Sequence, residues 1–553
     1  MRTHVGQGIL FASEAVPVAP AEPVSRALPP RAAALLLALV AALLLLRLGA
    51  VPLLGPDEPR YARVAVEMER AGEWVTPTLQ GEPWLEKPPL YYWAAGLAYR
   101  AIGENETAAR LPSVVAAVVM VGATALVGAR LFGAAAGLHA GFVLCLSLLP
   151  FAYGRAASMD MLLAACVTVA QGLIALRLLG IAGRLAMPVA GVFIGLGLLA
   201  KGPLGLLLPV LATGSYLLLA RDRDAWRRIL SPAAMILAAA VALPWYVMAW
   251  RENGQAFVDV FLLNHNLQRF TSTIHRHPGP FYYYVPIALL GLAPWSGLVG
   301  PAFARIRPRT SGAERLVLLW FLVPFVFFSL AGSKLPGYIL PCLPPLALLM
   351  GRLADTWTRE GAGSGGRVAS LVGLAVSACV AAAPLVLRGQ GDPHWRALGP
   401  LGAWSLIVAF LFSREVGADP ARALRLLRIG AAGTLLLVVL AAPPLLSARE
   451  SGRTLFLPAN GREVLVWNAW RTAWMAGYFY NDGRVRPVEG LDAIVSASAA
   501  GPVLVLAGPG ERRTLAGTPS LEVVTLAEGP RRNALLLVTA ASAINSPAPV
   551  SSR

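Results

Sequence analysis

Charge is what this sequence has least of. Only 14% of its 553 residues are Asp, Glu, Lys or Arg, against about 25% in ordinary soluble domains. Apolar residues make up 56% of the chain, so much of its surface must face lipid rather than water. Cysteine is scarcer still. The four present, Cys145, Cys166, Cys342 and Cys379, lie in apolar stretches, and no pair has metal-ligand spacing. That excludes a disulfide scaffold or a zinc ribbon and leaves them as small core residues. No P-loop and no H-E-x-x-H occurs, so nucleotide-dependent and zinc-protease chemistry has no support, and no nucleotide cofactor is expected.

What is abundant is positive charge, a net +17. Nucleic acid is not the expected partner, because the basic residues punctuate apolar runs and no recognition motif accompanies them. That distribution is the one membrane topology demands. Residues 1–30, rich in Pro and Ala, read as a disordered cytoplasmic tail. The apolar run that follows is too long for a cleaved signal peptide and lacks an A-x-A site, so it reads as a retained first span. Further spans are expected near 111–131, 134–153, 157–176, 185–200, 203–220, 229–250, 281–303, 315–333, 336–351, 368–387, 398–413 and 429–447, about thirteen in all.

Four arginine groups fix the orientation: Arg221, Arg223, Arg227 and Arg228; Arg305, Arg307, Arg309 and Arg315; Arg352, Arg359 and Arg367; Arg414, Arg422, Arg425 and Arg428. Span parity puts all four on the side of the amino terminus, which is therefore cytoplasmic. The transmembrane domain runs over 31–447, with external loops at 55–110 and 251–279. Residues 448–553 differ in kind. EVLVW, PVLVLAG, LEVVTLAEG and NALLLVTA are short apolar runs bounded by Gly, Pro and charge, which predicts a small external α/β domain followed by a tail.

Charges at or inside spans are costly and usually functional, and here they gather on the external face. Asp57 and Glu58 follow the first span, Glu86 and Lys87 share the first external loop, and His265 and Arg269 share the second. Asp160 lies about a turn inside the fourth span, after Arg155, while Lys201 and Lys334 sit at external span junctions. Acids, bases and a histidine on one lipid-adjacent face suit an anionic lipid headgroup. Singly, each has a plainer reading. The lysines could snorkel, Glu86 and Lys87 could be a solvated pair, and His265 could be structural. Tyr91-Tyr92-Trp93 and Phe281 to Tyr284 read as interfacial anchors. Arg60, Arg63 and Arg70 read as the polar face of an amphipathic helix.

The stretch GPDEPRYARVAVEMERAGEWVTPTLQGEPWLEKPPLYYWAAGLAYRAIGENETAARLPS, Gly55 to Ser113, resembles the first periplasmic loop of bacterial ArnT-type aminoarabinose transferases. These belong to the GT-C membrane glycosyltransferases related to protein mannosyltransferases. NHNLQRF (264–270) with HPGPFYYYVP, and GSKLPGYILPCLPPLALL (332–349), agree with it. The resemblance implies an all-α polytopic membrane protein of GT-C fold with a small C-terminal α/β extramembrane domain, in the bacterial inner membrane. It implies an inverting transfer of 4-amino-4-deoxy-L-arabinose from undecaprenyl phosphate to a lipid A phosphate, which lowers the attraction of cationic antimicrobial peptides. Related enzymes move galacturonic acid or hexoses, or use a protein or glycan hydroxyl as acceptor.

By the same resemblance Lys87 and Arg269 match donor-phosphate positions, with Tyr338 and Lys334 from the KLPGYILP block beside them. Asp57 matches the family's essential carboxylate, with Glu58 and Asp160 as further acidic candidates. Glu86 and His265 match positions that bind zinc or another divalent cation. A lipid transporter or flippase would instead place its charges near the bilayer midplane in repeated halves, and an envelope assembly protein would leave the clustered charges unexplained.

Overall fold

The computed structural model describes residues 27–220, 223–261, 279–306, 311–390 and 395–541. The expected tail lies almost wholly outside them, as do His265 and Arg269. Nine helices are long and apolar enough to cross a membrane, or eleven if each of two bent pairs is one span, counted among the described residues. The thirteen segments expected from hydropathy all fall on helices. A count of thirteen also needs the two shorter apolar helices Ala186–Lys201 and Leu204–Leu219, so that number is not established. The chain is a multi-pass membrane protein.

Helix α1 (Pro30–Leu45) starts on a proline, whose missing N–H costs nothing in a first turn. Helix α2 (Asp57–Ala71) carries Asp57 and Glu58 in its first turn, where the helix dipole favours acids, and ends on left-handed Gly72. A two-strand hairpin follows, β1 (Thr78–Leu79) against β2 (Glu82–Pro83). Its turn residues Gln80 and Gly81 both have positive φ, as a tight hairpin turn requires. Glu67 of α2 accepts from the Gln80 and Gly81 N–H groups at 2.9 and 3.2 Å and so ties the hairpin down. Then come α3 (Leu90–Ile102) and α4 (Glu106–Phe132), the latter capped by Asn105.

Helices α5 (Ala134–Cys145) and α6 (Leu148–Gly154) form one bent pair, with 63° between their axes. They are followed by α7 (Met159–Leu178), α8 (Ala186–Lys201) and α9 (Leu204–Ala220). Small residues let these helices touch. A Cβ at Gly137 would lie 2.4 Å from the Ala125 carbonyl oxygen of α4. The remaining long helices are Pro232–Phe257, Gly312–Leu330, Leu343–Glu360, Gly363–Gly389, Gly399–Glu415 and Pro420–Glu450, with a second bent pair at 281–304. Three of the cysteines are buried as expected, but Cys379 is exposed on the outer face of its helix.

The C-terminal domain is a five-stranded sheet of β3 (Val464–Trp467), β4 (Val485–Pro487), β5 (Val503–Ala507), β6 (Leu521–Glu528) and β7 (Ala534–Ala540), in the order β4-β3-β5-β7-β6. Strands β4, β3 and β5 are parallel, and β7 runs antiparallel to both β5 and β6. Val464, Val466, Leu504 and Leu506 face the helix Arg471–Tyr480 and join the main core. Leu465, Val505 and Ala507 face the opposite layer with Ile494 and Leu515.

This domain is clamped to α2. Asp482 accepts from Arg63 at 2.5 Å and from Arg70 at 2.7 Å. The Tyr480 hydroxyl accepts from the Leu53 N–H at 2.7 Å and donates to Glu106 at 3.1 Å. Arg63 and Arg70 are therefore docking residues rather than a merely solvated helix face. The aromatic expectation changes too. Tyr91 and Tyr92 are fully buried, and the Tyr91 hydroxyl donates to the Ala109 carbonyl at 2.8 Å, so they are core residues, not interfacial anchors. Phe281 and Tyr282 are exposed as anchors should be, while Tyr284 is buried.

Candidate active site

A cavity of about 520 Å³ opens where α1 ends and α2 begins, beside the α6–α7 turn and the end of the helix Pro420–Glu450. Its lining combines apolar side chains, among them Leu48, Val438, Val439 and Leu446, with the polar Asp57, Glu58, Tyr61, Lys87, Asp160, Lys201 and Tyr338.

Two arginines build the frame. Arg155 donates to the carbonyls of Leu43, Leu44 and Leu46 at 3.1, 2.6 and 2.8 Å, satisfying the C-terminal end of α1. Arg110 reaches from α4 to the carbonyls of Leu48, Val51 and Pro52 at 3.0, 2.6 and 2.9 Å, and it donates twice to Glu58, at 2.7 and 3.2 Å. Glu58 also accepts from the N–H groups of Leu54 and Ala157, both at 2.6 Å. Its two oxygens thus take four donors, the full capacity of a carboxylate. Glu58 lines the cavity, yet its lone pairs are committed to the scaffold.

Asp57 is different. Its side chain is 49% exposed and accepts from Arg60 at 2.5 Å. Arg60 lies against the rings of Tyr61 and Trp84, with centroids at 5.3 and 4.9 Å. Burial, reinforced by the Asp57 carboxylate, pushes the Tyr61 phenol far above its ordinary range, so Tyr61 stays a protonated donor.

Asp160 occupies the first turn of α7, whose cap Ser158 accepts its N–H at 3.1 Å. Lys201, at the last turn of α8, contacts the Asp160 carboxylate directly. Its ammonium also lies over the Tyr338 ring, 4.3 Å from the centroid. Tyr338 belongs to the 3₁₀ turn Pro336–Cys342. Gly337 makes that approach possible, because a Cβ there would sit 2.5 Å from the Tyr153 ring and 2.7 Å from Asp160 Oδ2. Lys87 is buried, with Nζ donating to the Glu86 carbonyl at 3.2 Å.

The cavity thus gathers Asp57, Glu58, Asp160, Lys87 and Tyr338. It does not gather Lys334, which is buried with Nζ donating to the Ala331 carbonyl at 2.6 Å and is not among the lining residues. Arg269 and His265 lie outside the described residues. Of the two metal candidates only Glu86 is described, and the nearby Arg60 guanidinium already feels its charge. Among the described residues no group of three His, Cys, Asp or Glu could hold a metal ion, and His265, the expected second ligand, lies outside them.

In the sequence Lys201 stands among the gathered charges without a role of its own, and Arg110 is not singled out. For Lys201 a signal existed. The chain has only three lysines, Lys87, Lys201 and Lys334, among 47 basic residues. Where arginine serves nearly every other basic position, a retained lysine marks a place that needs a compact ammonium.

Residues 86–250 match the family model described as dolichyl-phosphate-mannose-protein mannosyltransferase. The undecaprenyl phosphate-alpha-4-amino-4-deoxy-L-arabinose arabinosyl transferase of Aeromonas salmonicida is 32% identical over 381 residues, covering 66% of this chain and 69% of the relative. The chain belongs to this transferase family. The Edwardsiella ictaluri member is 33% identical over 347 residues, or 61% of this chain, and the match spans 62% of that relative's length, less than two thirds. The solved structure of ArnT from Cupriavidus metallidurans bound to undecaprenyl phosphate superimposes with a TM-score of 0.77 at 22% identity, covering 93% of this chain and 99% of that one. The GT-C architecture expected from the motifs is therefore the fold this chain has.

Proposed function

We propose that this chain is a polyprenyl-phosphate-sugar-dependent glycosyltransferase that moves 4-amino-4-deoxy-L-arabinose from undecaprenyl phosphate to a lipid A phosphate. In this reading the chain sits in the inner membrane with its amino terminus in the cytoplasm, and the reaction takes place on the periplasmic face. The observation that carries it is the mixed apolar and charged lining of the cavity. A polyprenyl phosphate-sugar has an apolar tail, an anionic phosphate and a polar ring, and the cavity lining combines apolar side chains with Lys87 and Lys201, the phenols Tyr61, Tyr153 and Tyr338, and the acids Asp57, Glu58 and Asp160. The names of the relatives supply the donor and the sugar.

In the transfer, the bond between the anomeric carbon and the phosphate oxygen breaks as a bond to the acceptor oxygen forms on the opposite face. Positive charge grows on the sugar ring and negative charge on the leaving phosphate. Lys87 and Lys201 stabilise the latter, with Tyr61 and Tyr338 as hydrogen-bond donors, so their gain is largest at the transition state. Arg269 joins them in the same role. Asp57 faces the ring, where its negative charge favours oxocarbenium character. It need take no proton, because a phosphate acceptor is already an anion. Asp160 holds Lys201 in place and Glu58 holds the frame.

Mass spectrometry of lipid A from cells with and without the gene tests this reading. Loss of the aminoarabinose-bearing species on deletion is expected. Unchanged lipid A, with the sugar missing from another glycan, would favour a hydroxyl acceptor instead.

A further inference from the structure

The external domain carries a second cluster of positive charge. Strand β3 is followed by the helix Arg471–Tyr480 on one face of the sheet, and β5 by the helix Pro509–Ala516 on the other. Their carboxyl ends therefore diverge at a topological switch point. Because β7 is antiparallel to β5, with Ala507 opposite Ala534, the turn Pro530–Arg532 comes to the same edge. Arg471, Arg531 and Arg532 meet there, all exposed, and among the described residues none pairs with a carboxylate.

The turn is built rather than accidental. Arg531 and Arg532 both adopt left-handed backbone, with φ of 54° and 59°, a conformation unfavourable for long side chains. Asn533, 1% exposed, holds it there. Its Nδ2 donates to the Pro530 carbonyl at 2.7 Å, and its Oδ1 accepts the Trp470 N–H at 2.8 Å. The Arg531 guanidinium lies 4.2 Å from the Trp470 ring centroid. The acid on this edge, Glu511, is held by Asn468 Nδ2 at 2.7 Å, and Glu528 is taken by Arg512 at 2.6 Å.

The cluster sits where the last long apolar helix ends. Pro530–Arg532 packs against the helix Pro420–Glu450. A Cβ at Gly529 would meet Leu455, and one at Gly452 would meet Ala473, in the first turn of the helix that Arg471 begins. Guanidinium groups and a tryptophan at the end of a membrane span suit the phosphate layer of a bilayer, and planar guanidinium donors engage phosphate oxygens in pairs.

We infer that Arg471, Arg531 and Arg532 form a docking site for the net-anionic headgroup of a membrane phospholipid, separate from the catalytic cavity. The site holds the external domain onto the bilayer beside the cavity mouth. It does not depend on the transfer reaction and stands if that reading fails.

The test uses the purified full chain in detergent, titrated with phosphatidylglycerol or phosphatidylcholine, with bound lipid counted by native mass spectrometry. The wild type should retain one more tightly bound phosphatidylglycerol than R471Q/R531N/R532N, whose affinity at that site falls at least about tenfold. Phosphatidylcholine binding should not change. R486Q/R512Q, which removes arginines already paired with Glu463 and Glu528, should behave as wild type. Should the triple variant fail to fold, R531N alone serves, since Asn tolerates left-handed backbone; it should weaken the site about threefold. The inference is overturned if the triple variant binds within about twofold of wild type or if R486Q/R512Q loses as much. It is also overturned if millimolar inorganic phosphate displaces the lipid completely, which would mark a free-anion site.

Discussion

The guanidinium of Arg110 grips the carboxylate of Glu58 at two points, Nη2 to Oε2 at 2.7 Å and Nε to Oε1 at 3.2 Å, with both side chains less than a tenth exposed. The pair joins the start of α2 to α4 and, through the Ala157 N–H, to the turn before α7. Asp57 stands on α2 and Asp160 on α7, so the Arg110–Glu58 pair sets the spacing of two acids that line the cavity.

Breaking that pair should cost stability first. Glu58→Gln leaves Arg110 buried without its counter-charge, a defect worth about 3–5 kcal/mol. Thermal unfolding in detergent should show a large drop in midpoint, with activity lost in proportion to folded protein. A variant that unfolds normally yet has no turnover would place Glu58 in the chemistry instead.

Docking of the C-terminal domain should weaken in acid. Burial alone would raise the Asp482 carboxyl, but hydrogen bonds from Arg63 and Arg70 outweigh it and hold it below its ordinary 3.8. Glu67 is likewise held below its ordinary 4.5, burial being outweighed by Arg63 and the Gly81 and Gln80 N–H groups. Groups depressed in the folded state contribute stability above their unfolded pKa and lose it as pH falls through the folded one. Limited proteolysis at the junction near residues 448–460 should therefore accelerate several-fold on descending below about pH 4, and Asp482→Asn should be accelerated already at pH 7. Equal cleavage of wild type and Asp482→Asn at pH 7 would remove Asp482 from the clamp.

Gly337→Ala should spare the fold more than the activity. The added Cβ meets the Tyr153 ring and the Asp160 carboxylate, so Tyr338 and Asp160 cannot keep their places together. Turnover should fall about tenfold or more, as misplacement of catalytic groups does, with a smaller change in donor binding. Wild-type turnover would mean that the turn carrying Tyr338 does not shape the site.

Much of this was legible before any coordinates. Hydropathy found the helices because lipid imposes a length and a composition, and the short apolar runs after residue 448 marked the sheet. Asp57, Lys87, Asp160 and Tyr338 stood out as costly or motif-bearing residues at one membrane face. Glu58 drew the same attention for the same reason, since sequence cannot tell a carboxylate with four donors from one facing a substrate. Tyr91 and Tyr92 misled because rings suit interfaces and cores equally, and only packing separates the two. Arg110 was hidden as an ordinary boundary residue of an apolar helix. Lys201 was obscured because a lysine at a helix end also snorkels, although the scarcity of lysine gave a clue. The two-residue left-handed turn at Arg531 and Arg532 had no signal at all, because nothing in a pair of arginines announces positive φ.

The central claim is that the lysines of one cavity stabilise a departing polyprenyl phosphate. Its most direct test is single-turnover transfer by the purified chain from undecaprenyl phosphate-aminoarabinose to lipid A, comparing wild type with Lys87→Ala and Lys201→Ala at saturating donor. Both variants should fold as wild type and lose about 100- to 1,000-fold in the rate of the chemical step. Wild-type rates in both variants, or no sugar transfer by the wild type itself, would contradict the account.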